Sequence, residues 1–184
     1  MTNKKNILAI CGSTRKSSTN LELIQAIIDL YKSELNIELF HEIDHIPHFN
    51  PDLDNEDDLK EVALFREKIK AADGVLICTP EYAMGVPGTL KNAIDWTVSS
   101  MEFSHKPVAL ITASSQGFNG HASLLATLKI IESDIPENSQ VVISFVKTKV
   151  KGDRITDEKT LMEVKVVMSS LIKAIEEISE TKIS

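Results

Sequence analysis

An open, doubly wound α/β sheet is the fold this 184-residue chain predicts, on three observations. Five short apolar runs lack polar alternation, as parallel strands covered on both faces do. Amphipathic stretches with helical spacing lie among them. Three of the runs stop abruptly in polar, chemically unusual loops, the place where a sheet of this kind takes its ligands.

In chain order, the first run is Ile-Leu-Ala-Ile-Cys at 7–11. Leu21, Ile24, Ile28 and Tyr31 then share one helical face. Residues 37–40 make the second strand, and Val62, Phe65 and Ile69 mark the second helix. The third strand, 75–78, ends at Pro80, and a helix starts near Pro87 or Gly88. Strands at 108–112 and 141–145 follow. The last helix is the clearest, with Leu161, Val164, Met168, Leu171, Ile175 and Ile178 in its apolar rhythm. Five β–α units with right-handed crossovers give five parallel strands in the order 2-1-3-4-5, helices on both faces. One domain spanning 1–184 is expected at this length. The long irregular stretch is 42–56, polar enough to be functional or merely exposed.

A net charge of −7 argues against general affinity for nucleic acid or an anionic membrane. No apolar run approaches the ~20 residues that span a bilayer. The polar start at 1–6 carries no secretory pattern, so a cytoplasmic location is expected. Cys11 and Cys78 both sit in strand-like runs, which favours buried packing over a redox pair.

The first unusual loop, 12–20, gathers Ser13, Arg15, Ser18, Thr19 and Asn20 at a helix start. Free N–H groups and the helix dipole attract anions there, and a guanidinium adds charge-assisted bonds to phosphate oxygens. Thr19 followed by Glu22 also matches a capping box, but capping accounts for only one or two of these residues. A terminal monophosphate is the better reading. The second loop holds Pro80, Glu81, Tyr82, Ala83, Met84 and Gly85, with Pro87 closing it. Its backbone offers donors to a heterocycle edge, Tyr82 or Met84 a packing surface, and Gly85 a sharp turn. The third loop contains Ser115 and Gly117, where glycine permits close backbone approach.

Rival sites are weaker. Cys11 before a hydroxyl-rich loop is similar to the cradle of low-molecular-weight tyrosine phosphatases, yet Arg15 follows it too closely for that geometry. His41, His45 and His48 lie close together but in an irregular, cysteine-free stretch, which favours solvated or pocket-rim histidines over a metal. The acids from Asp52 to Asp58 read as a solvated surface. Neither a hydrolase elbow, a Walker sequence nor a dinucleotide glycine motif is present.

Together the loops resemble the NADPH-dependent FMN reductase family of flavodoxin-like proteins. Gly12, Ser13, Arg15, Ser18 and Asn20 match its Gly-Ser-x-Arg-x-x-Ser-x-Asn pattern. Residues 80–82 and 87–96 match Pro-Glu-Tyr and Pro-Gly-x-Leu-Lys-Asn-Ala-x-Asp-Trp. The resemblance implies noncovalent FMN, with Ser13, Arg15, Ser18 and Asn20 around its phosphate. Pro80, Glu81, Tyr82 and the backbone of Ala83 and Met84 would line the isoalloxazine, with Ser115 and Gly117 along the other edge. It also implies a homodimer or homotetramer, with Trp96 a candidate interface residue beside its ordinary reading as core. Two departures stand out: Ala83 where many relatives have Asn, and Gly120-His121 where a Gly-Gly pair is common.

The function so implied is an NAD(P)H-dependent oxidoreductase. NADPH or NADH would pass hydride to flavin N5, and a flavin, quinone, azo compound or similar small molecule would then accept electrons by ping-pong turnover. Positioning matters more than acid–base chemistry, so no catalytic side chain is assigned. A flavodoxin-like electron carrier without its own nicotinamide site is the alternative, and a non-catalytic flavin sensor a distant third.

Overall fold

A computed structural model describes residues 4–54 and 59–181. Five parallel strands form the sheet: β1 (Lys5–Cys11), β2 (Leu35–Phe40), β3 (Gly74–Thr79), β4 (Val108–Ser114) and β5 (Gln140–Ser144). Their order is β2-β1-β3-β4-β5, the flavodoxin-like arrangement expected from the sequence. The register pairs Ile7 with Ile37 and Gly74, then Val75 with Val108 and Ile111 with Val141. It brings the carboxyl ends of β1, β3, β4 and β5 to one edge.

Alternate residues of each strand feed two cores because side chains point to opposite faces. Ile7, Ala9, Cys11, Leu76, Cys78, Ala109 and Ile111 pack against α1 (Thr19–Tyr31) and α5 (Glu158–Thr181). On the other face, Leu8, Ile10, Val75, Ile77 and Leu110 meet α2 (Lys60–Ala71), α3 (Gly88–Asp95) and α4 (Phe118–Ile130). Burial on both faces explains the unbroken apolar runs. The buried face of α1 centres on Leu23, Ile24 and Ile27, while Leu21 and Ile28 sit at its margin. A small antiparallel pair, β6 (Val150–Lys151) and β7 (Arg154–Ile155), precedes α5. Among the described residues, no helix is long and apolar enough to cross a membrane.

The stretch after β2 is irregular but tightly held. Short 3-10 turns occupy Ile43–His45 and Pro51–Leu53. Asn92 and Trp96, both on the α3 side, clasp it. The Phe49 N–H donates to Asn92 Oδ1 at 2.7 Å, Asn92 Nδ2 donates to Pro47 O at 2.9 Å, and Trp96 Nε1 donates to the same oxygen at 2.8 Å. Phe49 meets the Trp96 ring edge-on at 5.0 Å. Trp96 is 1% exposed, so it serves the core and not an interface. Asp54 departs from the solvated-surface expectation too: half-buried, it pairs with Arg66 at 2.6 Å. Asp52 is exposed, and 55–58 lie outside the described residues. His41, His45 and His48 are exposed.

Candidate active site

The strand ends build a cavity of about 400 Å³ at the carboxyl edge of the sheet. Ser13, Arg15, Ser18, Thr19 and Asn20 line it from the β1–α1 loop. Pro80, Glu81 and Tyr82 line it after β3, and Ala113, Ser114 and Ser115 after β4. Phe145, Val146, Lys147 and Thr148 complete the wall after β5. Nine of the twelve residues expected at the site line this cavity, and Ala83, Met84 and Gly117 do not.

At the first loop, α1 begins at Thr19 with Ser18 as its N-cap, and no side chain caps the first turn. The capping box expected from Thr19 and Glu22 does not form; the Glu22 N–H bonds Ser18 O at 3.0 Å instead. Thr19 and Ser18 thus stand at an uncapped helix start beside the cavity, which keeps its N–H groups available to an anion. Asn20 lines the cavity and also makes tertiary bonds. Its Nδ2 donates to Ala113 O at 3.0 Å and its Oδ1 accepts from the Cys78 thiol at 3.3 Å, so the side chain ties α1 to β3 and β4. Arg15 is exposed and has no carboxylate partner among the described residues.

The second loop is a two-residue hairpin turn. Tyr82 and Gly85 exchange backbone bonds of 2.9 Å in both directions. The left-handed positions are Ala83 (φ 48°) and Met84 (φ 64°), not Gly85 as the sequence suggested. Both central residues of such a turn favour Gly, Asn or Asp. Asn at position 83 would therefore suit the backbone itself. Ala83→Asn is expected to stabilise the protein by about 0.5–1 kcal/mol. A urea midpoint at or below wild type would contradict this. Tyr82 is 46% exposed, leaving a ring surface at the cavity.

Glu81 is a positioning residue. Its Oε2 accepts from the Gly120 N–H at 2.6 Å, which places a carboxylate at the amino-terminal turn of α4. The Ser114 hydroxyl donates to Glu81 O at 3.4 Å, joining the second loop to the third. Gly120 is glycine for lack of room: a Cβ there would stand 2.8 Å from Gly85 O and 3.1 Å from Glu81 Cγ. Gly117 is the left-handed N-cap of α4 (φ 106°), packed near Thr112 and Val142. That left-handed backbone is what favours glycine at the helix start. His121 bridges Thr112 Oγ1 at 2.9 Å and Gln140 Oε1 at 3.0 Å, and burial lowers its pKa.

Burial raises the Cys11 thiol and raises the Cys78 thiol well above its ordinary value. Both cysteines are buried and free, which leaves no activated thiolate in the β1–α1 loop. The sequence missed Ala113 and Ser114 at the end of β4, and the whole wall from Phe145 to Thr148. The signal available was the rule that every strand of such a sheet delivers its exit to the same edge. Reading 145 as strand hid it; β5 ends at Ser144. Lys147 adds a second cation without a carboxylate partner among the described residues.

Comparison with known proteins agrees with this geometry. The profile of the NADPH-dependent FMN reductase family matches residues 5–148. An NAD(P)H-dependent FMN reductase of Pseudomonas aeruginosa is 35% identical over 86% of this chain and 89% of its own. An NADPH azoreductase of a Bacillus species is 34% identical over 89% of this chain and 92% of its own. Among solved structures, FerB, a flavoenzyme NAD(P)H:(acceptor) oxidoreductase from Paracoccus denitrificans, superposes with a TM-score of 0.75 at 28% identity. It covers 94% of this chain and 98% of its own. With the uncapped helix start, the Pro-Glu-Tyr hairpin and the strand order all in place, the chain belongs to the NADPH-dependent FMN reductase family, a family of oxidoreductases.

Proposed function

We propose that this protein is an FMN-containing NAD(P)H-dependent reductase of small-molecule acceptors such as flavins, quinones or azo compounds. One observation carries the reading: Arg15 and Tyr82, from different loops, line one cavity. A single ligand with an anionic end and a flat ring reaches both. The cavity's volume falls within the range usual for small-molecule sites, roughly 300–1,000 Å³. Its donor set suits a phosphomonoester, because Ser13, Ser18, Thr19 and the Arg15 guanidinium collect at an uncapped helix start.

FMN, when bound, would supply the redox chemistry, namely hydride acceptance from NADPH or NADH and electron delivery to the acceptor. The chain's own residues bind and orient. Arg15 and the first turn of α1 would hold its phosphate, while Pro80, Tyr82 and Ser115 would flank its ring. Asn20 and Glu81 hold the loops in register. Ala83, Met84 and Gly117 act through the backbone turns they form. No side chain needs to move a proton to nicotinamide, in keeping with a site lacking an activated thiol. A homodimer or homotetramer is part of the same proposal.

The test is an anaerobic titration of FMN-saturated protein with NADPH and, separately, NADH. Bleaching of the flavin absorbance within the turnover time supports the reading. Tight FMN binding without bleaching by either donor would move the protein to the class of electron carriers.

A further inference from the structure

Phe145 joins β5 to the 3-10 turn Val146–Thr148 with a left-handed backbone, φ 57°. A bulky aromatic residue in that region is strained in a way that glycine or asparagine is not. Burial does not offset the strain, since Phe145 is 65% exposed and belongs to neither core cluster. Glu132, another left-handed residue, has an ordinary local reason: it closes α4, with the Ser133 N–H bonded to Leu128 O at 3.0 Å. Phe145 ends a strand and has no such reason.

Its conformation is nevertheless fixed from both sides. The Phe145 N–H donates to Ser115 O at 3.2 Å, and the neighbouring Ser144 hydroxyl donates to Gln116 O at 2.8 Å. The Thr148 N–H and hydroxyl both donate to Phe145 O, at 3.0 and 2.8 Å. The first two bonds anchor this segment to the loop that follows β4, and the Thr148 bonds fix it to the turn that follows β5. Strain held in place by its surroundings is characteristic of ligand-contacting positions. Phe145 also lines the cavity together with Tyr82, and the two leave the sheet on either side of β4.

We propose, on the footing of the flavin-site reading above, that Phe145 is a stacking contact for a planar conjugated ring in this cavity. The ring is that of the flavin or that of a planar acceptor. Both sources share the chemistry that an exposed phenyl face recognises.

The experiment compares wild type with Phe145→Gly and Phe145→Asn. Flavin-free full-length protein is melted and then titrated with FMN by fluorescence quenching. FMN-loaded protein is assayed with NADPH and menadione, a planar quinone. Both variants are expected to melt about 2–4 °C higher, because the backbone suits them and no core contact is lost. A roughly tenfold weaker FMN Kd identifies the flavin as the ring. An unchanged FMN Kd with a roughly tenfold higher menadione KM identifies the acceptor. Higher melting temperature with both constants within about twofold of wild type overturns the proposal. So does a lower melting temperature with unchanged constants, which would make the ring a packing group. If wild type itself takes up no FMN, the flavin-site reading fails, and this inference with it.

Discussion

Gly12→Ala is expected to destabilise the protein by about 3 kcal/mol or more. A Cβ at this position would stand 2.3 Å from Thr79 Oγ1, 2.7 Å from Thr79 Cβ and 3.0 Å from Leu90 Cδ2. Thr79 and Leu90 are both fully buried, so neither has solvent to retreat into. Gly12 is itself pinned, its N–H donating to Cys78 O at 2.9 Å across the β1–β3 ends. Overpacking usually costs about 1–3 kcal/mol, and a contact this short against a strand's own Cβ belongs at or beyond the upper end. Total stability is commonly about 5–15 kcal/mol, so the loss is a large share of it. Urea unfolding measures it. The double variant Gly12→Ala/Thr79→Gly removes the clashing atoms and should recover part of the loss. A single variant within about 1 kcal/mol of wild type would show that the β1–β3 junction relaxes freely.

That glycine also shows what the sequence conveyed and what it withheld. Read alone, Gly12 belongs to a ligand-binding motif. The packing reason for glycine involves Thr79, distant in sequence, and no local pattern carries it. The strands and their order were legible because two-sided burial writes itself as unbroken apolar runs, of which β3 is the clearest. Asn20 was read as a ligand contact, and its amide also joins three elements. Asn92 and Trp96 belong to a matched motif, and their work is to clasp the segment after β2. Such roles depend on partners brought close by folding. The β5 exit was missed for another reason: Phe145 is an excellent strand residue, and only the backbone reveals that it turns left-handed.

Arg15→Gln is expected to raise the Kd for FMN by about 10- to 100-fold while leaving that for riboflavin nearly unchanged. Hydrogen bonds to charged groups are worth about 1.5–3 kcal/mol, and each 1.4 kcal/mol is about a tenfold change in affinity. Riboflavin has the ring and ribityl chain without the phosphate, so it isolates the anionic end. Stability should barely change, because Arg15 is exposed and makes no ion pair among the described residues. Arg15→Lys should restore only part of the affinity, since an ammonium keeps the charge without the planar fork. The wild-type preference for FMN over riboflavin should shrink as salt rises, because an exposed cation is screened. Equal weakening of FMN and riboflavin would place Arg15 against the ring or chain instead. An unchanged FMN affinity would leave the phosphate to the helix start and Lys147, and remove the observation on which the assignment of the cavity's anionic end rests.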